Sequence, residues 1–357
     1  MKKYNCKSCG AELYFDAVSQ KLKCEYCETA FDPKEYEGAE HKEEQKESTQ
    51  ARELGEYDKA VDESVGELVL YTCSHCGAEI ITGETTVATT CIYCNRAVIF
   101  AGKLEGSFRP DYVIPFVKTK NDVTETYKKL TKRASLLPKI FKEESTIEEL
   151  KGVYMPFWIH SMNIEGKAEV EATTRRSWTT GDRRYTETSY YDVLREGVAE
   201  FGRIPTDALK RIDNELMHSL EPFNCEGLKS FSGAYLAGYY TEQYDESAEE
   251  TIVRAKKRAE ECVSGLLLAN ATGYDTRKIK KIQYNYLNEK SEYAMFPIWT
   301  LHTKYRGKTY VFGMNGQTGK MTGTFPKDIG KMIKIVVSSF LATQIILAIV
   351  RLIGGGL

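Results

Sequence analysis

The stretch Cys6-Lys7-Ser8-Cys9-Gly10-Ala11-Glu12-Leu13 recurs as Cys73-Ser74-His75-Cys76-Gly77-Ala78-Glu79-Ile80. In each copy 14 residues separate this pair of cysteines from a second pair, Cys24-Glu25-Tyr26-Cys27 in one and Cys91-Ile92-Tyr93-Cys94 in the other. All eight cysteines keep one offset of 67 residues, the mark of an internal duplication. A Cys-x-x-Cys turn lets two sulfurs converge on one ion. A glycine after the second cysteine, here Gly10 and Gly77, permits the positive φ that such a turn often requires. Four thiolates prefer tetrahedral zinc, and with no open coordination position the site is structural, not catalytic. Iron fits the same sulfurs, and two such turns alone do not separate the metals.

Residues 12–23, with Leu13-Tyr14-Phe15 and Leu22, suit two short strands between the pairs. Each copy therefore resembles a zinc ribbon of the rubredoxin-like kind over about 25 residues. The expected ligands are Cys6, Cys9, Cys24 and Cys27 within residues 1–32, and Cys73, Cys76, Cys91 and Cys94 within residues 68–102: two structural Zn2+ sites. Residues 28–67 hold 14 acidic and 5 basic side chains, so 33–67 reads as an acidic, partly helical linker.

Composition narrows the function further. A chain of 357 residues makes two or three domains, and its 42% apolar and 28% charged shares are those of a globular protein. Lys and Arg total 49 against 51 Asp and Glu, so no overall basic excess exists to neutralise phosphates. Nucleic-acid binding would need a local patch. Of ten cysteines only Cys225 and Cys262 stand outside the pairs, which reads as metal chelation in a reducing compartment. No apolar run follows Met1-Lys2-Lys3-Tyr4-Asn5, so a secretory signal is not expected.

The other end is apolar. Ile335 to Val350 is free of charge, and its large side chains lie all around a helix, not along one stripe. If Arg351 snorkels, the helix continues through Ile353 and approaches the thickness of a hydrocarbon core. A transmembrane helix is expected over 332–353. Lys327, Lys331 and Lys334 place the preceding bulk in the cytoplasm, and so short a remainder reads as a tail anchor in the cell membrane.

Residues 108–326 form the expected main domain. Strands are read at Val153 to Ile159, Ile164 to Ala172, Tyr185 to Leu194, Gly197 to Phe201, Ile279 to Leu287, Ala294 to Thr303 and Lys308 to Phe312. Helices are read from Thr206 to Leu220, from the capping box Ser145-Thr-Ile-Glu148, and from the box Ser247-Ala-Glu-Glu250 to about Leu268. In the last, Ile252, Ala255, Ala259, Cys262, Val263 and Leu266 make the expected core stripe. Helices among antiparallel hairpins imply an α+β domain. Tyr154-Met-Pro156-Phe-Trp158 recurs as Met295-Phe-Pro297-Ile-Trp299, with a fainter echo in Val113-Ile-Pro115-Phe116, so this domain too reads as duplicated. His160 and His302 read as structural histidines. The hairpin around Gly181-Asp182 gathers Arg175, Arg176, Arg183 and Arg184 near Trp178, the candidate anion contacts, with lipid headgroups the nearer phosphates in an anchored chain. Gly313-Met-Asn315-Gly316-Gln-Thr-Gly319-Lys320-Met321 only imitates a phosphate loop: Met314 and Met321 replace the required Gly and Ser/Thr, and Asn-Gly between strands signals a hairpin.

The fold class read from these parts is multidomain: two small β zinc ribbons, an α+β domain with an antiparallel sheet, and a C-terminal transmembrane helix. Together with Trp178-Thr-Thr-Gly-Asp182, Tyr190-Tyr-Asp-Val-Leu-Arg-Glu-Gly197, Glu221-Pro-Phe223 and Ala234-Tyr-Leu-Ala-Gly-Tyr239, the chain resembles the YdjG-type membrane-anchored, TFIIB-like zinc-ribbon proteins of Gram-positive bacteria. That family often carries a primosomal-helicase-like label, which follows the cysteines alone, since helicase motifs are missing here. The resemblance implies association with flotillin-like or PspA-like membrane-stress proteins. The resulting expectation is a non-enzymatic membrane adaptor or scaffold. The alternative is a nucleic-acid-binding zinc-ribbon protein.

Overall fold

The computed structural model describes residues 4–36, 68–72, 79–83, 99–104, 110–143, 146, 150–210, 212 and 214–354. At the N-terminus, alternation buries Leu13 and Phe15 of β1 (Leu13–Asp16) with Leu22 and Cys24 of β2 (Lys21–Cys24). The two pair antiparallel, Leu13 opposite Cys24, and the Asp16 carboxylate closes the turn by accepting from the N–H groups of Val18 and Ser19. The short β3 (Ala30–Phe31) adds to β2. Of the acidic linker, Pro33–Tyr36 form one 3-10 turn, and 37–67 lie outside the described residues. Next come β4 (Leu68–Thr72), β5 (Glu79–Gly83) and β6 (Ile99–Leu104), with β4 antiparallel to both of the others.

The main body begins with β7 (Tyr112–Val113) and α1 (Lys120–Arg133), a helix the sequence reading missed. Thr119 and Asp122 close a capping box at its start. Two long strands follow, β8 (Lys151–Thr180) and β9 (Arg183–Asp207), then α2 (Asn214–Leu220), β10 (Lys229–Ser230) and β11 (Tyr240–Glu242). The expected box at Ser247 and Glu250 opens α3 (Ala248–Ala269). The body ends with β12 (Thr276–Tyr305), β13 (Lys308–Asn315) and β14 (Met321–Gly323), and α4 (Ile329–Gly354) follows.

Where separate short strands were expected, β8, β9 and β12 run on without a break. The expected gaps near 160 and 288 coincide with β-bulges, between His160 and Met162 and between Leu287 and Lys290, which shift register without ending the ladder. The sheet order is β10-β7-β12-β8-β11-β5-β4-β6, with β9 on β8 and β13 on β12. The second cysteine module therefore joins the main sheet: Ile80 and Ile81 of β5 pair with Glu242 and Thr241 of β11.

Three other expectations need correction or fall outside view. Thr206 and Asp207 are not helical. They end β9 opposite Trp158 and Phe157, and the helix starts at Asn214. Cys262 is exposed, not core, and so is Leu266. Three turns of 3.6 residues from Ile252 arrive at Val263, so the buried stripe of α3 passes through Ala255, Ala259, Val263 and Leu267. The Ser145 to Glu148 box lies largely outside the described residues.

The body repeats one order of elements. β7-α1-β8-β9 and β11-α3-β12-β13 have the same order, and in both the N-cap stands seven residues after the first residue of the short strand (Tyr112 to Thr119, Tyr240 to Ser247). Each short strand pairs in parallel with the long strand of the opposite half, Val113 beside Met295 and Thr241 beside Tyr154. The two Pro-x-Trp segments are antiparallel neighbours, Pro156 opposite Met295 and Pro297 opposite Tyr154. Their tryptophans explain the repeat. Trp158 Nε1 donates to the carbonyl of Glu246 (2.9 Å), and Trp299 Nε1 donates to that of Lys118 (2.9 Å). In both cases the acceptor immediately precedes the N-cap of the other half's helix. The Val113-Ile-Pro115-Phe116 echo is the short strand of the first half and its exit.

Alternation along these strands builds a core on each face. Tyr154, Trp158, Tyr293, Met295 and Trp299 pack on one side, and Val153, Met155, Phe157, Ile159, Phe296 and Ile298 on the other. Farther along β8, α3 covers Ile164, Ala168 and Val170. Its approach needs Gly166, where a Cβ would meet Val263 at 2.6 Å. α4 contributes to neither core. Its Ile329–Ile349 stretch is 21 residues long and includes an 18-residue window of mean hydropathy 2.1 with none of it buried, long and apolar enough to cross a membrane.

Candidate metal centre

Strand pairing brings the first two cysteine pairs together. The Sγ atoms of Cys6, Cys9, Cys24 and Cys27 all lie within 4.8 Å of one another, with Cys6 to Cys27 at 3.4 Å and Cys9 to Cys24 at 3.5 Å. Zinc–thiolate bonds of about 2.3 Å place tetrahedral sulfurs ~3.8 Å apart, so the four donors fit one such ion. The two turns share one hydrogen-bond pattern. Cys6 N donates to Ala11 O (2.7 Å) and Gly10 N to Cys6 O (2.8 Å); Cys24 N donates to Thr29 O (3.1 Å) and Glu28 N to Cys24 O (3.1 Å). Gly10 has φ 77° as expected, and Glu28, its counterpart, also holds positive φ, 58°. The sequence signal for Glu28 was its place after a second cysteine.

The electrostatics suit a cation. Hydrogen bonds from the Thr29 hydroxyl and backbone hold the Cys27 thiol down to about 6. The Ala11 backbone pulls Cys9 the same way, yet desolvation and the neighbouring sulfurs Cys24, Cys27 and Cys6 push it up to about 12. Sulfurs this close do not all ionise unless a cation neutralises them.

The cluster is set into the body. Cys6 and Cys24 are buried in the same apolar cluster as Phe116, Tyr154 and Trp158, while Cys9 and Cys27 face outward. Phe15 N donates to Ala237 O (3.1 Å), and the Phe15 ring meets Tyr235 edge-on at 5.2 Å. Gln20 Nε2 donates to Phe116 O (2.7 Å), and Phe116 stacks on Tyr239 at 4.0 Å. No local pattern announced this receiving surface, because its residues come from segments over 90 positions away.

Cys73, Cys76, Cys91 and Cys94 lie outside the described residues. The strands flanking Cys73 and Cys76 nevertheless keep the register of the first module. The Asn5 to Glu12 bridge becomes Thr72 opposite Glu79, and the bond from Leu13 N to Tyr4 O corresponds to Tyr71 opposite Ile80.

The other candidates separate in space. His160 is buried, with Nδ1 2.8 Å from the Ser291 hydroxyl and Nε2 3.1 Å from that of Thr251. It pairs with Ser291 while Thr300 pairs with Lys151, so His302 stands roughly 35 Å away along the ladder. They make no metal pair. The four arginines are exposed at the tip of the β8–β9 hairpin, and the register divides them: Arg176 and Arg183 share a face with the stacked rings of Trp178 and Tyr185 (5.8 Å), and Arg175 and Arg184 share the opposite one. The imitation phosphate loop is a hairpin. Asn315 Oδ1 accepts from Gln317 N and Thr318 N (both 2.9 Å), and Gly319 takes φ 83°.

The chain is 32% identical to the uncharacterized protein YdjG of Bacillus subtilis (strain 168) over 260 residues, 73% of this chain and 76% of that one. No family model matches the chain, and no solved structure matches it.

Proposed function

The chain belongs to the YdjG family, and from that premise we propose a non-enzymatic scaffold, held at the cytoplasmic face of the cell membrane by α4, that recruits protein partners. The observation carrying the reading is the closed Cys6, Cys9, Cys24, Cys27 tetrad sharing one core with the body. Zinc there has no vacant position for substrate, so its work is to fix the outward surface of β1 to β3. A second zinc ion on Cys73, Cys76, Cys91 and Cys94 does the same beside β11, supported by the common register of the two modules. Flotillin-like or PspA-like membrane-stress proteins are the proposed partners.

The test is co-purification of the full chain from membranes, side by side with a Cys9→Ser/Cys27→Ser variant, with metal measured in both. Specific protein partners recovered with the wild type and lost with the variant support the scaffold. Recovery of none with the wild type overturns it.

The Trp178–Tyr185 stack beside Arg176 and Arg183 favours a second reading, binding of single-stranded nucleic acid through stacking and phosphate contacts. It requires binding that weakens steeply with salt and falls on neutralising Arg176 and Arg183.

A further inference from the structure

α4 leaves the body at a fixed point. Asp328 N donates to Leu136 O (2.7 Å), Lys331 Nζ donates to Leu137 O (2.7 Å), and Asp328 Oδ1 accepts from Lys331 N (3.2 Å). Leu136 and Leu137 link α1 to the 3-10 turn Lys139–Lys142, whose Phe141 is buried against Tyr305, Tyr310 and Phe312. A segment nearly 200 residues earlier in the chain is thereby pinned beside the first turn of the apolar helix. That segment is basic. Lys132, Arg133 and Lys139 are exposed on it, and Lys327 and Lys334 are exposed on either side of Lys331. Nearby acids offset part of this charge: Asp328 is engaged at the helix start and Glu125 pairs with Lys129 (3.4 Å), while Glu143, exposed, follows the Lys139–Lys142 turn.

We propose that Lys132, Arg133 and Lys139, with Lys327 and Lys334 of the helix base, form a collar that binds the anionic headgroups of the membrane that α4 enters. The proposal rests on the reading of α4 as a membrane span. Basic side chains beside an anionic leaflet each raise its occupancy roughly fivefold, within a Debye length of the surface. The bonds to Leu136 and Leu137 hold this segment at the base of the helix, on the side from which α4 would enter the leaflet. The arginine hairpin is placed differently. Its Gly181 tip is 30 residues along β8 from Lys151, on the order of 100 Å of strand. The Phe141–Tyr305 contact keeps the Lys151 end of the sheet near α4. The hairpin and the anchor base are at opposite ends.

The test is hydrogen exchange on the full chain in nanodiscs of phosphatidylcholine alone and with a third phosphatidylglycerol. The comparison variant is Lys132→Gln/Arg133→Gln/Lys139→Gln, which spares Lys142, whose Nζ closes α1 on Ala134 O, and Lys331. Amides of 128–142 should exchange at least tenfold more slowly in the anionic discs, an effect removed by high salt and by the variant. Inorganic phosphate at millimolar concentration should not reproduce it. Equal exchange of 128–142 in the two discs, with α4 protected in both, overturns the collar; slowing by phosphate alone overturns the headgroup as its source. Unprotected α4 in both discs removes the membrane reading and the collar with it, a failure read from a different segment.

Discussion

The two halves of the body share one plan and differ at their ends. In each, a short strand leads to a capped helix and then to a long strand whose Pro-x-Trp segment reaches the opposite helix start. The first half carries β8 on past Trp158 to Thr180, in a hairpin ending in exposed arginines, whereas the second turns back at Arg306-Gly307, soon after Trp299 and near the anchor base. The interior is repeated because each half completes the other's packing and hydrogen bonds. The hairpin ends meet no such demand, so they are where the halves have diverged. The cysteine modules both meet the body, at different places. One is seated through buried side chains, the other through strand pairing with β11.

The largest expected effect breaks the contrast between modules. Cys24→Ser should lose the metal ion of the first module, measured by elemental analysis. It should also release the N-terminal module from the body, since structural zinc supplies on the order of 10 kcal/mol to small ribbons. A variant that keeps the metal content and melting curve of the wild type refutes the assignment. Next come the tryptophans. Trp158→Ala and Trp299→Ala should each cost about 3–5 kcal/mol in denaturant unfolding. Trp→Phe at either place should cost about 1 kcal/mol by leaving a half-buried carbonyl without its donor. A large cost on one side and none on the other breaks the symmetry.

His160 sharpens the comparison, because the equivalent place in the second half is Leu301. Burial, with Arg254 and Lys256 adding to it, lowers the His160 pKa from 6.5 to about 4. Its folded value is the lower one, so the unfolded chain takes up the proton first. The stabilisation is present above pH ~6.5 and is lost as pH falls toward 4, by roughly 3 kcal/mol. Wild type should lose that much more than His160→Gln over the same interval. The smallest effect compares the turns of the first metal site. Glu28→Gly should stabilise by about 0.5–1 kcal/mol by relieving the positive φ that Gly10 already accommodates.

Much of the candidate site was legible. Eight cysteines at one spacing, a glycine after Cys9 and an alternating Leu13-Tyr14-Phe15 are local signals, and the described tetrad has the expected geometry. The capping box at Ser247 and the Asn315 hairpin were legible for the same reason. The errors have a common source. Thr206 and Asp207 satisfy a helical pattern but are claimed by pairing with β8, and Cys262 lies one residue off a stripe that only packing against β8 defines. α1 went unread because it buries only Val123, Tyr127 and Thr131 on an otherwise charged helix.

What the sequence determined alone is therefore the ligand set of the first metal centre and the apolar helix at the other end. Ligand spacing and hydropathy depend on neighbours along the chain. Tertiary structure decided which half's strand lies beside which, where the first module docks, how the arginines divide between two faces, and what stands at the foot of α4. Each of these depends on pairing between distant segments, where a one-residue shift of register turns every side chain to the opposite face.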